Sequence, residues 1–193
     1  MTWAIAILAG YLLGSIPAAT LVARRHGVDL HRTGDGNPGA WNALEQLGPR
    51  RAWPAFVGDG LKGFAAGLLG LALGGWWTGW AAVAAAMLGH AFPVQAPGRG
   101  GKAVMCFVGG MFALSPLAAL ACAALCLVVT AVASFAWGAR AAVFAFPLVQ
   151  LATDPVEHVL GTGILMTLIG ILFLARRRTS VPATSAPGAP PTA

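Results

Sequence analysis

The sequence predicts an all-α protein, a polytopic membrane bundle of about seven transmembrane or partly re-entrant helices, and three observations carry that prediction. Of 193 residues, 58% are hydrophobic and only 9% are charged, with a mean hydropathy of +0.75, whereas a soluble domain carries roughly 25% charged residues. Apolar stretches close to the roughly 20 residues that a helix needs to cross a bilayer recur along the chain. Arginine and lysine fall in short clusters in alternate links between those stretches, as a membrane topology requires. The net charge of +6 therefore reads as sidedness. The expected macroscopic partner is the lipid bilayer, and no nucleic acid is expected.

The first stretch, residues 3 to 23, lacks the basic leader of a secretory signal and is long enough to span. Arg24, Arg25, Arg32, Arg50 and Arg51 follow and mark the first link as cytoplasmic. Residues 52 to 74 and 76 to 96 are the next crossings. Their link, "GGWWTGW", is uncharged and carries Trp76, Trp77 and Trp80 in the manner of an interfacial belt on the opposite side. Arg99 and Lys102 bring the chain back inside. The stretch from 104 to 137 spans 34 residues, too many for one crossing, and Pro116 breaks it near Ser115. Dividing it puts Arg140 inside, leaves the acidic "TDPVEH" link after residues 140 to 152 outside, and returns Arg176 to Arg178, after residues 159 to 175, to the inside. The N-terminus is then outside and the C-terminus inside. Residues 1 to 178 are expected to form one membrane domain, and the aperiodic Pro/Ala/Ser/Thr segment 179 to 193 is expected to be a disordered tail. Cys106, Cys122 and Cys126 lie in apolar segments without metal-ligand spacing and read as small core residues.

Three polar islands interrupt the cytoplasmic side. The first joins "GSIPAA" to "VDLHRTGDGNPGAWN", residues Val28 to Asn42. Glycines such as Gly36 let backbone amides converge on an anion, with His31 and Arg32 supplying charge and Asn37 and Asn42 neutral donors. The same residues also fit a plain loop leading into a helix near Pro38 or Gly39, with Asn37 as its cap. The second island, "GDGLKG", sets Asp59 and Lys62 three apart on one helix face, as a structural ion pair or as a substrate site within the bundle. The third, "GHAFPVQAPGRGGKAV", places Arg99, Gly100, Gly101 and Lys102 just before a helix, the composition of a phosphate-binding turn. It lacks the spacing and hydroxyl of a nucleotide P-loop. His90, at the preceding helix end, is a base or donor, or else a cap. Both lysines of the chain lie in these islands, which points to an anionic substrate.

In order and spacing these motifs resemble those of the bacterial membrane glycerol-3-phosphate acyltransferases that use acyl phosphate as donor. Gly14 to Pro17 and Val28 to Asn42 match "GSIP" followed by "IDIRxxGSGNxGATN"; Asp59, Lys62 and Gly63 match "DxxKG"; Gly89 to Val94 and Arg99 to Ala103 match "GHxFPVxxxFxGGKG". The match runs over residues 14 to 105, about half the chain. The resemblance implies acyl transfer from acyl phosphate to glycerol 3-phosphate, giving lysophosphatidic acid for phospholipid synthesis. It implies a multi-pass protein of the bacterial inner membrane with its site facing the cytoplasm and no metal or cofactor. By the same analogy Arg99, Lys102 and the Gly100/Gly101 backbone hold one phosphate. Asn37, Asn42 and Lys62 help with the other, and His90 is donor or base. An acyl phosphate is already activated, so positioning and fixed donors suffice for catalysis.

The chain departs from the pattern at several positions. The motif serine is Asp35, the arginine is His31 with Arg32 beside it, the threonine is Trp41, and the glycine after the motif lysine is Ala103. A third family stretch, "HRxNIxR", has no counterpart beyond "LARRRTS". An unpaired carboxylate beside two phosphates would oppose binding, so Asp35 is expected to pair with Arg32 or Lys62, or to orient the attacking hydroxyl. The alternative reading is a homologue without chemistry, a membrane transporter or lipid- or anion-binding protein that keeps the site.

Overall fold

The computed structural model describes residues 1–177, and every regular element among them is an α-helix. The helices are α1 (Thr2–Gly14), α2 (Ala18–Arg25), α3 (Ala40–Leu47), α4 (Pro49–Ala91), α5 (Val104–Leu114), α6 (Pro116–Val132), α7 (Phe135–Thr153) and α8 (Val156–Arg177). The expected tail, residues 179 to 193, lies outside the described residues. Helix α4 is two limbs joined at Gly74 and Gly75, whose backbone is not helical, with Gly75 at φ 76°. Counting the limbs separately gives seven apolar segments, α1, the limbs of α4, and α5 to α8, as expected from the sequence. Helices α2 and α3 are short pieces with small buried faces: Ala19, Thr20 and Ala23 in one, Ala40, Asn42 and Ala43 in the other.

Helix packing rests on small residues, because between apolar helices in lipid close approach is what holds them together. A Cβ at Gly10 or Gly14 of α1 would collide with the backbone carbonyls of Ala82 or Ala86 on the second limb of α4. Gly89 meets Tyr11 O in the same way from the other side. On the first limb, Gly63 faces Cys106 O of α5, and Gly109 of α5 faces Gly60 O. These contacts bring α1, both limbs of α4 and α5 together around a core that includes Val83, Met87, Phe107 and Met111.

Three sequence expectations are adjusted. Pro116 does break the long apolar stretch, with Ser115 as the non-helical residue between α5 and α6. The following helix, however, begins at Phe135 and not near residue 140, because Ser134 caps it by accepting a hydrogen bond from Trp137 N at 3.4 Å. Trp80 is not an interfacial belt residue: it is 5% exposed and wedged against Gly161 of α8, whereas Trp76 and Trp77 are about half exposed. Asn37 does not cap α3; Gly39 occupies the cap position.

Helix α5 has 11 residues and is about 16 Å long, roughly half the hydrocarbon thickness of a bilayer. In the "GRGGK" turn that precedes it, Gly100 and Gly101 are buried while Gly98 and Arg99 are exposed. The loops bearing the polar islands meet at this one end: Lys102 reaches Asp35 and sits over the Phe173 ring of α8, while Phe135 at the start of α7 stacks on Trp41 of α3. Trp76, Asp154 and His158 gather at the other.

Candidate functional site

At the polar end, residues from three distant segments converge. Asp59 and Lys62, one helical turn apart on the first limb of α4, form an ion pair at 2.9 Å with almost no exposure of either side chain. Lys62 Nζ also donates to Ile16 O at 3.0 Å, in the "GSIP" segment that separates α1 from α2. His90, at the end of the second limb, is 7% exposed and turns Nδ1 toward Asp59 Oδ1 at 3.6 Å. That is too long for a formed hydrogen bond. Asp59 Oδ2 and His90 Nδ1 have no hydrogen-bond partner despite their burial. Buried polar groups are almost always satisfied, and among the described residues the orphaned side-chain atoms fall only here and at Asn37 Oδ1 and Asn42 Oδ1 of the first island.

The cluster lines a small cavity with Ser15, Ile16, Pro17, Pro38 and Pro93, of about 20 Å³. That volume accommodates about one water. Two proline-containing segments roof it and are pinned together. Ser15 Oγ donates to Tyr11 O at 2.9 Å and accepts from Val94 N at 3.3 Å, and Tyr11 OH donates to Phe92 O at 2.6 Å. The one signal for Ser15 in the sequence is its place inside "GSIP".

The first island folds as a compact loop. Gly34 and Gly36 have positive φ, 59° and 69°, a region open to glycine. Gly36 N donates to Thr33 O at 3.1 Å and Asn37 N to Asp35 Oδ1 at 3.0 Å. Asn42 is fully buried and its Nδ2 is spent on three carbonyls, those of Leu30, Thr33 and Asn37, at 3.0–3.1 Å. It closes the loop from within and does not reach outward as a donor. Gly34 faces Asn42 Oδ1 so closely that a Cβ would not fit.

The third island is similar in kind. Gly100 N and Gly101 N donate to Ala91 O and His90 O at 3.1 Å, so these amides cap the end of α4. A Cβ at either glycine would strike His90 or its carbonyl, which fixes why both are glycine. Ala103 is the one non-glycine residue with positive φ among those described, at 59°. Lys102 projects from this turn to Asp35 Oδ2 at 3.0 Å, with the two side chains 24% and 40% exposed. Asp35 is thus paired, but with Lys102 and not with the expected Arg32 or Lys62. Lys62 is taken by Asp59, and Arg32 is exposed with no carboxylate within 4 Å among the described residues. Arg99 is likewise exposed and stays outside the cluster. Trp41 stacks on Phe135 at 5.7 Å and 9°, and its Nε1 donates to Glu45 at 2.8 Å.

A membrane bundle that buries a carboxylate, a lysine and a histidine together defines a class: an integral membrane protein with a buried polar cluster at one end. The comparisons with known proteins narrow this. The family model for glycerol-3-phosphate acyltransferase matches residues 4–183, and the chain belongs to that family. A glycerol-3-phosphate acyltransferase of Neisseria meningitidis serogroup A is 39% identical over 186 residues, 91% of this chain and 90% of that protein. One from Agrobacterium fabrum is 33% identical over 180 residues, 92% and 86% respectively. One from Rubrobacter xylanophilus is 44% identical over 111 residues, which is 57% of this chain and 56% of that protein. Among solved structures, the glycerol 3-phosphate form of PlsY (YgiH), an integral membrane glycerol 3-phosphate acyltransferase, aligns with a TM-score of 0.78 at 31% identity. That alignment covers 92% of this chain and 89% of that one. The lysophosphatidic acid form aligns at 0.76 and 30% identity.

Proposed function

We propose that this chain transfers the acyl group of an acyl phosphate to a hydroxyl of glycerol 3-phosphate at a site facing the cytoplasm of a bacterial inner membrane. The new ester bond forms as the acyl–phosphate bond breaks, the hydroxyl proton leaves, and inorganic phosphate departs. One observation carries the reading: Asp59, Lys62 and His90 are buried together with unsatisfied polar atoms, at the end where the Lys102 turn and the "GSIP" segment meet. Lys62 Nζ donates one hydrogen bond, to Ile16 O, and forms an ion pair with Asp59, so donor capacity remains for an anionic oxygen. His90 is the candidate base or donor at the reacting hydroxyl, held against Asp59. The glycine amides of both islands serve turns, so the cations carry phosphate recognition, with Lys102 and Lys62 inside and Arg32 and Arg99 as exposed charges that draw anions in.

Asp35 then acts as an internal competitor for Lys102. The pair is partly exposed, and such pairs are worth about 0.2–1 kcal/mol, so an arriving phosphate displaces the carboxylate at small cost. Asn37, whose Oδ1 is buried without a partner, sits in the loop that this exchange would free. The cavity is smaller than glycerol 3-phosphate, and its widening accompanies substrate entry.

The test is formation of lysophosphatidic acid by purified protein from acyl phosphate and glycerol 3-phosphate, with acyl-CoA as a parallel donor. Product from acyl phosphate alone is expected; product only from acyl-CoA, or none from either, would overturn the reading. Sidedness is read separately in a background without native cysteines. Arg25→Cys should be shielded from an impermeant thiol reagent added outside cells, while Trp77→Cys should react.

A further inference from the structure

A second place on the molecule combines an apolar groove with an unneutralised cation. Helices α6 and α7 pack as an antiparallel pair, drawn together where Gly138 lies against Thr130 and the carbonyl of Cys126. Beside that contact, Val129, Ala133, Trp137, Arg140, Ala141 and Phe144 line a groove of about 530 Å³. None of these residues belongs to the Asp59–Lys62–His90 cluster or lines its cavity.

Arg140 is the only charged residue of α6 and α7. It is exposed, and no carboxylate lies within 4 Å of it among the described residues. Its guanidinium stands 5.3 Å from the Trp137 ring centroid, within cation–π range of an indole. The groove begins at the α6–α7 turn, the end that stacks on α3 through Phe135 and Trp41. It runs along α7 to Phe144, whose ring is 71% exposed. In a bilayer the turn lies at headgroup level and Phe144 lies deeper, among the acyl chains.

We infer that this groove binds an anionic phospholipid of the surrounding bilayer, with an acyl chain along Ala141 and Phe144 and the headgroup phosphate on Arg140. Charge complementarity selects the occupant. A wholly apolar groove would take any acyl chain, but a single guanidinium next to an interfacial tryptophan discriminates in favour of a phosphate that no attached cation neutralises. The site is separate from the proposed acyl transfer and does not depend on it. It touches the substrate end through Phe135, which stacks on Trp41, on the helix whose Asn42 closes the first loop, and meets Phe56 of α4 edge-on, so lipid seated on α7 steadies both contacts.

Native mass spectrometry of delipidated, full-length protein titrated with phosphatidylglycerol, phosphatidylcholine or lysophosphatidic acid tests this. The wild type should bind phosphatidylglycerol at least tenfold more tightly than phosphatidylcholine. Arg140→Gln should abolish that preference, and Ala141→Trp, which fills the groove, should weaken both diacyl lipids. Arg140→Lys should restore part of the preference and so report on charge independently of folding. Equal affinity for the two diacyl headgroups in the wild type, or a preference that survives Arg140→Gln, would overturn the inference. So would stoichiometric dimers that exclude lipid, or lysophosphatidic acid displacing phosphatidylglycerol one for one, since the groove would then belong to a second copy or to the product.

Discussion

Among the described residues two histidine side chains face an aspartate, one at each end of the bundle; both are 7% exposed, and their hydrogen bonding differs. At one end His158 Nδ1 lies 3.4 Å from Asp154 Oδ1, a helical turn away, and its ring rests on Trp76 at 4.4 Å with Trp80 behind it. Thr153 Oγ1 donates to the other carboxylate oxygen at 2.6 Å. Every polar atom of that cluster is either partnered or near the surface. At the other end His90 and Asp59 stand 3.6 Å apart on separate limbs of α4, with Lys62 beside them and orphaned nitrogen and oxygen atoms facing a cavity. The first arrangement is finished without a ligand and the second is not. Residue types alone do not make a site; unsatisfied groups held by elements that distant packing brings together do.

The sharpest way to break this comparison is to neutralise each carboxylate. Asp59→Asn leaves Lys62 buried without its counter-ion and should destabilise the protein by about 3–5 kcal/mol, with loss of acyl transfer. Asp154→Asn removes an interfacial partner and should cost about 1 kcal/mol with activity kept. Thermal unfolding in detergent and the product assay read both. Next in size are the histidines. His90→Gln should lower turnover by about a hundredfold or more, the range for a group that moves a proton or supports charge in the transition state, while His158→Gln should leave turnover unchanged. The opposite order would place the chemistry at the wrong end.

Two smaller effects sharpen the account of the departures from the family pattern. Asp35→Ser frees Lys102 from its carboxylate and should tighten glycerol 3-phosphate binding, by up to about fivefold if the pair is worth 1 kcal/mol. A fall in affinity would mean that the carboxylate orients the substrate. Ala103→Gly relieves a left-handed alanine at the start of α5 and should stabilise the fold by about 0.5–1 kcal/mol, the strain removed less the added backbone entropy. An unfolding midpoint that does not rise would show that the turn tolerates Cβ at no cost.

Much of this was legible in the sequence because its signals are local. The apolar stretches, the Pro116 break, the glycine pair at 74 and 75, and the Asp59/Lys62 turn all follow from periodicity and spacing within one segment. What was hidden depends on residues far apart in the chain. That Asp35 meets Lys102, across 67 positions, is decided by where α5 begins inside the bundle. The sequence suggested that the glycines of "GRGGK" would present amides to an anion, whereas those amides are taken by carbonyls at the end of α4. The burial of Trp80 followed from Gly161, a residue in a different helix. Asn42 read as an outward donor because nothing local shows that three carbonyls surround it.

The central claim is that glycerol 3-phosphate is held by the cations at the Asp59–Lys62–His90 end, and equilibrium binding to purified protein tests it most directly. Titrations of wild type, Lys102→Ala and Arg140→Ala with glycerol 3-phosphate should show Lys102→Ala weakened about tenfold or more, the loss of one charge-assisted hydrogen bond. Arg140→Ala, whose side chain lies on a different groove, should match the wild type. Equal weakening by both substitutions, or none by Lys102→Ala, would contradict the account.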